Sequence, residues 1–146
     1  MHLSATTDWN VEDPWPDVRK CLSLLHSFGD SIRTFIACDG TGNFDLVPGN
    51  VGLSPNTQEI TTHAPNSTDF TIVSVVWGLS EIRDKAVDQV LWEYKQNGSA
   101  MLFESSLFGN KDSMPNNLKS GIIWYTEDDF KTFKSVSAKE GDSAGF

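Results

Sequence analysis

Residues 13–38 read Asp13-Pro-Trp-Pro-Asp-Val-Arg-Lys-Cys-Leu-Ser-Leu-Leu-His-Ser-Phe-Gly-Asp-Ser-Ile-Arg-Thr-Phe-Ile-Ala-Cys38, and they decide the fold class because their pattern is that of a β-hairpin. Gly29 and Asp30 form a two-residue loop in which glycine takes the positive φ of the first turn position. Apolar and β-branched residues flank this loop on both sides, as they do in two paired strands. The stretch therefore predicts an antiparallel hairpin.

The two-residue loop also sets the register of this hairpin. It places Leu24 opposite Phe35 and Cys21 opposite Cys38, and we expect the core on the face that carries Leu24. Pairs alternate outward from the loop, so the two cysteines form a non-hydrogen-bonded pair with a Cα spacing of about 4.5 Å. That spacing allows a disulfide, whereas a cytosolic protein would keep both thiols reduced and buried. Both alternatives stay open.

A second stretch, residues 112–135, repeats the features of the first. It has the proline, the lysine, the apolar run, the acidic turn and the Arg/Lys-Thr-Phe triplet in the same order. We therefore predict an internal repeat of a β-hairpin, at about 13–38 and 112–135. An isolated hairpin is marginal in water. The first copy thus either completes an antiparallel β-sandwich, which we favour, or pairs with another chain.

Length and composition indicate one mostly-β domain over residues 1–146. The chain has an ordinary 38% of hydrophobic and 21% of charged residues, and its nine Phe and five Trp favour strands. Residues 1–16 contain prolines and form an extended arm with Trp9 and Trp15 as anchors. Residues 46–67 are rich in Pro, Gly, Asn and Thr, which predicts a long connection with one short strand.

The pattern changes after residue 69. Residues 70–77 form the most apolar run of the chain, which favours a buried strand. Apolar residues from Ile82 to Tyr94 then recur at helical spacing, and Gly98 follows as a terminating glycine. We predict one α-helix, at about 83–97.

The charge of the chain excludes some partners. Twenty acidic and eleven basic residues give a formal net charge of −9, which repels nucleic acid and anionic membranes. No apolar run approaches the roughly 18–20 residues of a membrane span. The first residues lack the features of a signal peptide. We expect no nucleic-acid or membrane partner, and either a cytoplasmic protein or one secreted without a recognisable signal peptide.

Motifs of enzyme chemistry do not occur in the sequence. There is no Gly-x-Ser-x-Gly, no His-x-x-x-His and no Cys-x-x-Cys, and the three histidines are scattered. Adjacent acids at Glu127, Asp128 and Asp129 are typical of a solvated, charged turn that protects a sheet edge. We therefore predict no catalytic residue, no metal and no cofactor.

The stretch Asp39-Gly-Thr-Gly-Asn-Phe-Asp45 has oxygen-bearing side chains at alternate positions, as calcium loops do. A twelve-residue calcium loop needs Gly at its sixth position and Glu at its twelfth, where this chain has Phe44 and Asn50. We expect a polar turn. The alternative is a non-helical calcium or sugar site built from Asp39, Asn43 and Asp45.

Several segments together resemble a known motif. They are Trp77-Gly-Leu-Ser-Glu-Ile-Arg-Asp-Lys-Ala-Val87, Leu107-Phe-Gly-Asn-Lys-Asp112, Pro115, Leu118-Lys119 and Ile123-Trp-Tyr125. They are similar to Tyr/Trp-Gly-x-x-x-Val-Thr-Asp-Lys-Val followed by Phe-Gly-Asp-Pro-x-x-Gly-x-x-Lys-x-Leu-x-Val-x-Tyr, found in small fungal and bacterial proteins and in the C-terminal domain of a mitochondrial DnaJ-like protein. The resemblance covers about residues 70–136 and implies a compact β-rich module, to which it transfers no active-site residue.

The five tryptophans and the many Asn, Asp, Ser and Thr residues are typical of sugar-binding β proteins. In such sites an aromatic face stacks on a pyranose ring and carboxylate or amide groups orient its hydroxyls. We predict a non-enzymatic, lectin-like module that binds a glycan. The expected ligand-binding residues are Trp9, Trp15, Asp39, Asn43 and Asp45.

Other readings of the same composition stay open. Trp9 and Trp15 also suit a packing role, in which they cover a sheet edge. The alternative functions are a protein-interaction or structural module that self-associates through sheet edges, as in a homodimer, and a small secreted defence or effector protein.

Overall fold

The computed structural model of this protein describes residues 2–4, 21–28, 31–38, 43–45, 58–59 and 70–146. Within these residues the fold is mostly β with one helix, as predicted, and its sheets are antiparallel. The sandwich and the internal repeat stay predictions. The elements in chain order are β1 (His2–Ser4), β2 (Cys21–Phe28), β3 (Ser31–Cys38), β4 (Asn43–Asp45), β5 (Gln58–Glu59), β6 (Thr71–Trp77), β7 (Ser80–Glu81), α1 (Lys85–Asn97), β8 (Met101–Leu102), β9 (Ser120–Thr126), β10 (Lys134–Lys139) and β11 (Ser143–Ala144).

Contacts between Cα atoms divide the chain into two compact units, Met1–Ile60 and Thr61–Phe146. We call them the first and the second unit and describe each by itself. The single domain over residues 1–146 stays a prediction.

In the first unit, β2 and β3 form the hairpin expected from the sequence. The register is confirmed, with Leu24 opposite Phe35 and Cys21 opposite Cys38. Strand β5 lies inside the predicted long connection and pairs with β3. Strand β1 lies inside the predicted extended arm and pairs with β4.

In the β2–β3 hairpin, the described side chains that are most buried lie on the face opposite to the one expected to form the core. Thr34 and Ile36 are buried, and the register sets them across from Leu25 and Ser23. Leu24, on the face expected to form the core, is half-buried. β-branched side chains pack well on a pleated surface, which suits this second face to burial.

The second unit is built on a four-stranded antiparallel sheet in the order β10-β9-β6-β7. Strands β9 and β10 form the second hairpin, whose second strand extends to Lys139. The predicted bounds of this hairpin, residues 112–135, were therefore wrong: the observed hairpin begins later in the sequence, at Ser120, and ends later, at Lys139. Residues 112–119 belong instead to the loop that precedes β9, because Pro115 and two asparagines disfavour strand structure.

A β-bulge explains how both halves of β6 present residues to the same core. The register with β9 shifts between Ile72 and Ser74, so Val73 is an extra residue. Before the bulge Ile72 faces the core, and after it Val75 and Trp77 do. A strand without the bulge would turn Val75 and Trp77 to the other face, because side chains alternate.

Helix α1 begins and ends at residues with recognisable capping roles. The Asp84 carboxylate accepts a hydrogen bond from the Ala86 N–H at 2.9 Å, so the helix starts at Lys85, slightly later than predicted. Gly98, at φ 61°, ends it as predicted, and its N–H bonds back to the Lys95 carbonyl. No helix in the described ranges is long and apolar enough to cross a membrane.

The core of the second unit joins the sheet, the helix and the segment between β8 and β9. The indole of Trp77 stacks on Phe108, with ring centroids 4.5 Å apart. Gly121 on β9 leaves the room for this stack, because a Cβ there would lie 3.0 Å from ring atoms of Trp77, Phe103 and Phe108. The buried apolar residues of this core are Phe70, Ile72, Val75, Trp77, Ile82, Val87, Leu91, Met101, Phe103, Leu107, Phe108, Ile123, Tyr125 and Val136.

We predict that Gly121→Ala lowers the free energy of unfolding by about 1–3 kcal/mol, because three rigid rings must move to admit one methyl group. Gly145→Ala is the control, since a Cβ there lies at ordinary contact distances of 3.7 and 3.8 Å. Urea unfolding measures both variants. A Gly121→Ala protein as stable as the control would contradict the account of the core.

Candidate functional site

The structure describes the backbone of two of the five ligand-binding residues predicted from the sequence. Trp9, Trp15 and Asp39 lie outside the described residues. Asn43 and Asp45 lie in β4, where the register sets them opposite Ser4 and His2 of β1. Residues two apart on a strand share a face, and so do cross-strand partners. The backbone register therefore brings Asn43 and Asp45 to positions on the same side of the ribbon as Ser4 and His2, two residues that sequence reasoning had not connected with them.

The two cysteines face each other in the register, as stated above, but their sulfur atoms lie outside the described part of the hairpin. The disulfide therefore stays a prediction.

In the second unit, the residues that carry the motif resemblance converge around the Trp77–Phe108 stack. Gly78 turns the chain at φ 59°, and a Cβ there would lie 2.7 Å from the Ser113 hydroxyl oxygen. That hydroxyl donates to the Trp77 carbonyl and accepts from the Leu79 N–H, both at 3.0 Å. One serine thus fastens the loop before β9 to the turn after β6.

Lys119 joins the same loop to the strand ends through its ammonium group. This side chain is only 5% exposed, and its Nζ lies 3.2 Å from an oxygen of Asp112 and 3.3 Å from one of Glu140. It also donates to the Asn117 carbonyl at 3.3 Å and lies 5.8 Å from the centroid of the Trp77 ring. The ammonium is therefore a structural cross-link.

The protonation of Lys119 argues against a chemical role. Burial lowers the pKa of this lysine, but the hydrogen bonds and charges of Asp112 and Glu140 outweigh burial and raise the pKa above its usual 10.5. A lysine that acts as a base or nucleophile needs a lowered pKa. Lys119 stays a cation and stabilises the loop.

The pKa of Glu81 on β7 is also raised, but for a carboxyl group a raised pKa disfavours the charged form. Burial raises the pKa of its carboxyl group, and Arg83 and Ser74 oppose that rise. The Arg83 guanidinium lies 3.1 Å from the carboxylate, and the Ser74 hydroxyl donates to it at 3.3 Å. This ion pair gives Glu81 a structural role at the sheet edge.

The loop between β9 and β10, residues 127–133, is the strongest candidate for a binding site. We call it the hairpin tip. Asp128 organises it, because its Oδ1 accepts from the Thr132 N–H at 2.8 Å and from the Thr126 hydroxyl at 2.9 Å. Its Oδ2 accepts from the Thr132 hydroxyl at 2.5 Å. The Thr126 oxygen in turn accepts from the Phe130 N–H at 3.2 Å.

This network holds two non-glycine residues in the left-handed region. Asp129 has φ 54° and Phe130 has φ 65°. Such a backbone is uncommon for any non-glycine residue and unusual for a bulky one. Strain of this kind is found preferentially at functional sites, where it holds side chains in a set arrangement.

The tip presents an aromatic ring and a carboxylate to solvent. Phe133 is 39% exposed and packs beside Phe130, with ring centroids 6.4 Å apart. Asp129 is exposed. At the base of the tip Glu127 forms ion pairs with both Lys95 and Lys134, and these hydrogen bonds lower the pKa of its carboxyl group.

Sequence reasoning took Glu127 and Asp128 for solvated acids, whereas both are half-buried and partnered. One signal in the sequence points to this arrangement. Threonine and aspartate side chains near a turn often bond to backbone N–H groups a few residues away, and Thr126, Asp128 and Thr132 have that spacing.

Metal chemistry finds no support in the described residues, which contain no group of three His, Cys, Asp or Glu side chains able to hold an ion. No protein-family model, no curated protein and no solved structure matches this chain. The motif resemblance therefore stays a prediction. The described residues form antiparallel sheets and one helix, and the second unit carries an acidic and aromatic hairpin tip.

We predict that Lys119→Met lowers the free energy of unfolding by about 1–3 kcal/mol, since hydrogen bonds to charged groups are lost while the apolar stem is kept. Lys139→Met is the control, because its ion pair with Asp142 is more than half exposed on both sides and such pairs contribute about 0–1 kcal/mol. Urea unfolding at neutral pH measures both. Equal losses in the two variants would contradict the role of Lys119.

The pH dependence of this difference follows from the raised pKa. Lys119 contributes its stability fully below the usual lysine pKa of 10.5 and loses it as the pH rises through the higher folded value. The difference in the free energy of unfolding between the native protein and Lys119→Met should stay constant from neutral pH to about 10 and become smaller only above that pH. A gap that closes near neutral pH would contradict the assignment.

A second prediction concerns the hairpin tip. The hydrogen bonds from Thr132 hold the pKa of Asp128 at about 2, below its ordinary 3.8. Thr132→Val removes the hydroxyl donor, so the pKa of Asp128 should rise toward 3.8. In the native protein, the stability that ionised Asp128 contributes is fully present above its ordinary pKa of 3.8, and it is lost as the pH falls through the lowered pKa. A carboxyl NMR titration measures the shift, with Ser137→Ala as control, and an unshifted Asp128 in the native protein would contradict the network.

Proposed function

We propose that this protein is a non-enzymatic binding module that recognises carbohydrate through the hairpin tip. The single observation that carries the proposal is the conformation of Asp129 and Phe130, which the Asp128 hydrogen bonds hold in the left-handed region. Costly backbone conformations persist only where the surroundings impose them, and they cluster at binding sites.

The groups at the tip suit a sugar ligand. The half-exposed ring of Phe133 can stack on the apolar face of a pyranose, and the exposed Asp129 carboxylate can accept hydrogen bonds from its hydroxyls. The ring of Phe130 packs against that of Phe133, with the two planes tilted by 60°. A ligand therefore meets an aromatic face and an acceptor within one short loop.

Rigidity adds to the affinity that such a small surface can reach. Ordering an interface side chain on binding costs about 0.5–1.5 kcal/mol, and a loop that is already ordered avoids that cost. The Asp128 bonds to Thr126 and Thr132 provide this order before the ligand arrives.

The titrating groups Asp128 of the hairpin tip and Lys119 of the loop before β9 suit a binding role better than a catalytic one. General acids and bases need pKa values near the working pH. Asp128 is held far below that range, and Lys119 is held above it. Both groups serve as fixed charges that stabilise loops.

The first unit adds a second set of positions for the same ligand class. Its β1–β4 ribbon carries Asn43, Asp45, Ser4 and His2 at positions that share one face. Amide, carboxylate and hydroxyl groups are those that orient sugar hydroxyls. This extends the site predicted from Asn43 and Asp45 by two residues of β1.

A protein-interaction module is the competing proposal, and strand β10 is the observation that favours it. In the described part of the chain β10 is the outermost strand of the four-stranded sheet, and most of its side chains are exposed. Such an edge can pair with another chain. Lys134 and Lys139 stand at its two ends, where charged residues commonly discourage that pairing.

A glycan array at micromolar protein tests the main proposal. The native protein should bind a defined set of glycans. Phe133→Ala should weaken that binding about tenfold, which corresponds to about 1.4 kcal/mol, and Asp129→Asn should weaken it as well. Phe133→Tyr keeps the ring and should keep the binding.

The matched control is Leu118→Ala, which removes a 67% exposed apolar side chain that lies outside the tip. An array without binding, or binding that survives Phe133→Ala, would overturn the carbohydrate proposal. Sedimentation that depends on protein concentration would then favour the interaction module.

A further inference from the structure

Three aromatic rings lie together on one side of the ammonium group of Lys95 in the second unit. The Nζ atom lies 5.6 Å from the ring centroid of Phe70, 5.7 Å from that of Tyr125 and 6.0 Å from that of Phe146. These distances are within the range of about 6 Å over which an aromatic face attracts a cation.

The rings also contact one another and so form a preassembled corner. Phe146 meets Phe70 at 5.3 Å and 82°, and it meets Tyr125 at 5.1 Å and 89°. Phe70 and Tyr125 lie 5.5 Å apart at 44°. Edge-to-face arrangements of this kind are favourable in themselves, so the corner does not depend on Lys95 for its shape.

A carboxylate completes the surroundings of the cation. Glu127 pairs with Lys95 through one oxygen and with Lys134 through the other. The hydrogen bonds from Lys134 and Lys95 lower the pKa of Glu127, so the carboxylate keeps its charge at neutral pH. Aromatic faces around a cation are the arrangement by which proteins recognise quaternary ammonium groups.

The distances leave room for a cation larger than a lysine ammonium. A methyl carbon lies about 1.5 Å from its nitrogen, and carbon atoms make contact at about 3.5–4.0 Å. The nitrogen of a methylated ammonium therefore stands about 5 Å or more from ring carbons that its methyl groups touch. The observed separations of 5.6–6.0 Å can hold such a layer of methyl groups.

We propose that Phe70, Tyr125, Phe146 and Glu127 form a binding site for a methylated ammonium group, and that Lys95 occupies it as an internal competitor. This aromatic cage goes beyond the carbohydrate proposal: it shares Glu127 with the base of the hairpin tip, but it uses neither Phe133 nor Asp129, the two groups assigned to sugar contact. The side chain of Lys95 is 26% exposed, whereas Phe70 and Tyr125 are buried and Phe146 is half-buried, so a ligand reaches the rings along the path that Lys95 now fills. The net charge of −9 attracts a cationic ligand to the protein.

Tetramethylammonium chloride is the probe, and isothermal titration calorimetry measures its binding. Removing the competitor with Lys95→Ser should strengthen binding at least tenfold relative to the native protein. Adding Phe146→Leu to that variant keeps an apolar side chain but removes one ring, and it should reverse most of the gain.

Lys134→Ser tests whether tighter binding comes from the emptied aromatic cage or only from the loss of one positive charge near Glu127. It removes one positive charge from the same carboxylate but leaves Lys95 in place. It should therefore bind the probe no better than the native protein. An equal gain in Lys134→Ser and Lys95→Ser would overturn the proposal, as would a folded Lys95→Ser protein that binds no more tightly than the native one. Circular dichroism establishes folding of each variant.

Methylated lysine side chains of proteins and free choline both carry a methylated ammonium group. Titrations of the Lys95→Ser variant distinguish these two sources. A peptide with trimethyllysine and free choline are titrated in parallel, with the unmethylated peptide as control. Tighter binding of the peptide indicates a methylated protein partner, and tighter binding of choline indicates a small metabolite. Glycan binding is unaffected in either case if it resides at Phe133 and Asp129, so the two proposals fail independently.

Discussion

The stack of Trp77 on Phe108 is the contact on which the second unit depends, because it joins the central strand β6 to the segment that leads into β9. The stack fits only because Gly121 has no side chain. The turn at Gly78, the Ser113 hydrogen bonds and the buried Lys119 ammonium all lie around these two rings. The loop before β9 is therefore fastened to the core through Ser113 and Lys119.

Much of this fold could be predicted from the sequence where local chemistry decides it. The register of β2 and β3 could be predicted from the Gly29-Asp30 dipeptide in the sequence, and the end of the helix from Gly98, because turn and cap signals depend on few neighbours. The extra residue at Val73 could not be predicted. A bulge is chosen by the fit of both halves of β6 to the core, which alternation within one strand does not reveal.

The candidate sites were harder to predict for a different reason. The acids of the hairpin tip were taken for solvated groups, because adjacent carboxylates usually are. Their roles come from partners elsewhere: Lys95 reaches Glu127 from the helix, and Thr126 lies in the preceding strand. The cage likewise combines Phe70, Tyr125 and Phe146, whose separation in sequence hides their contact in space. Such groupings depend on tertiary structure alone.

The ion pairs of the second unit also affect how two copies of the protein meet. Arg83, Lys95, Lys119, Lys134 and Lys139 each face a carboxylate of their own chain, although acids outnumber bases in the whole sequence. Five of the eight Lys and Arg residues of the second unit are thus paired within the fold, and the whole chain keeps its net charge of −9. Neighbouring copies repel each other beyond contact, over roughly 8 Å at physiological ionic strength. Colloidal stability at low salt is the consequence, because net charge of one sign keeps proteins dispersed.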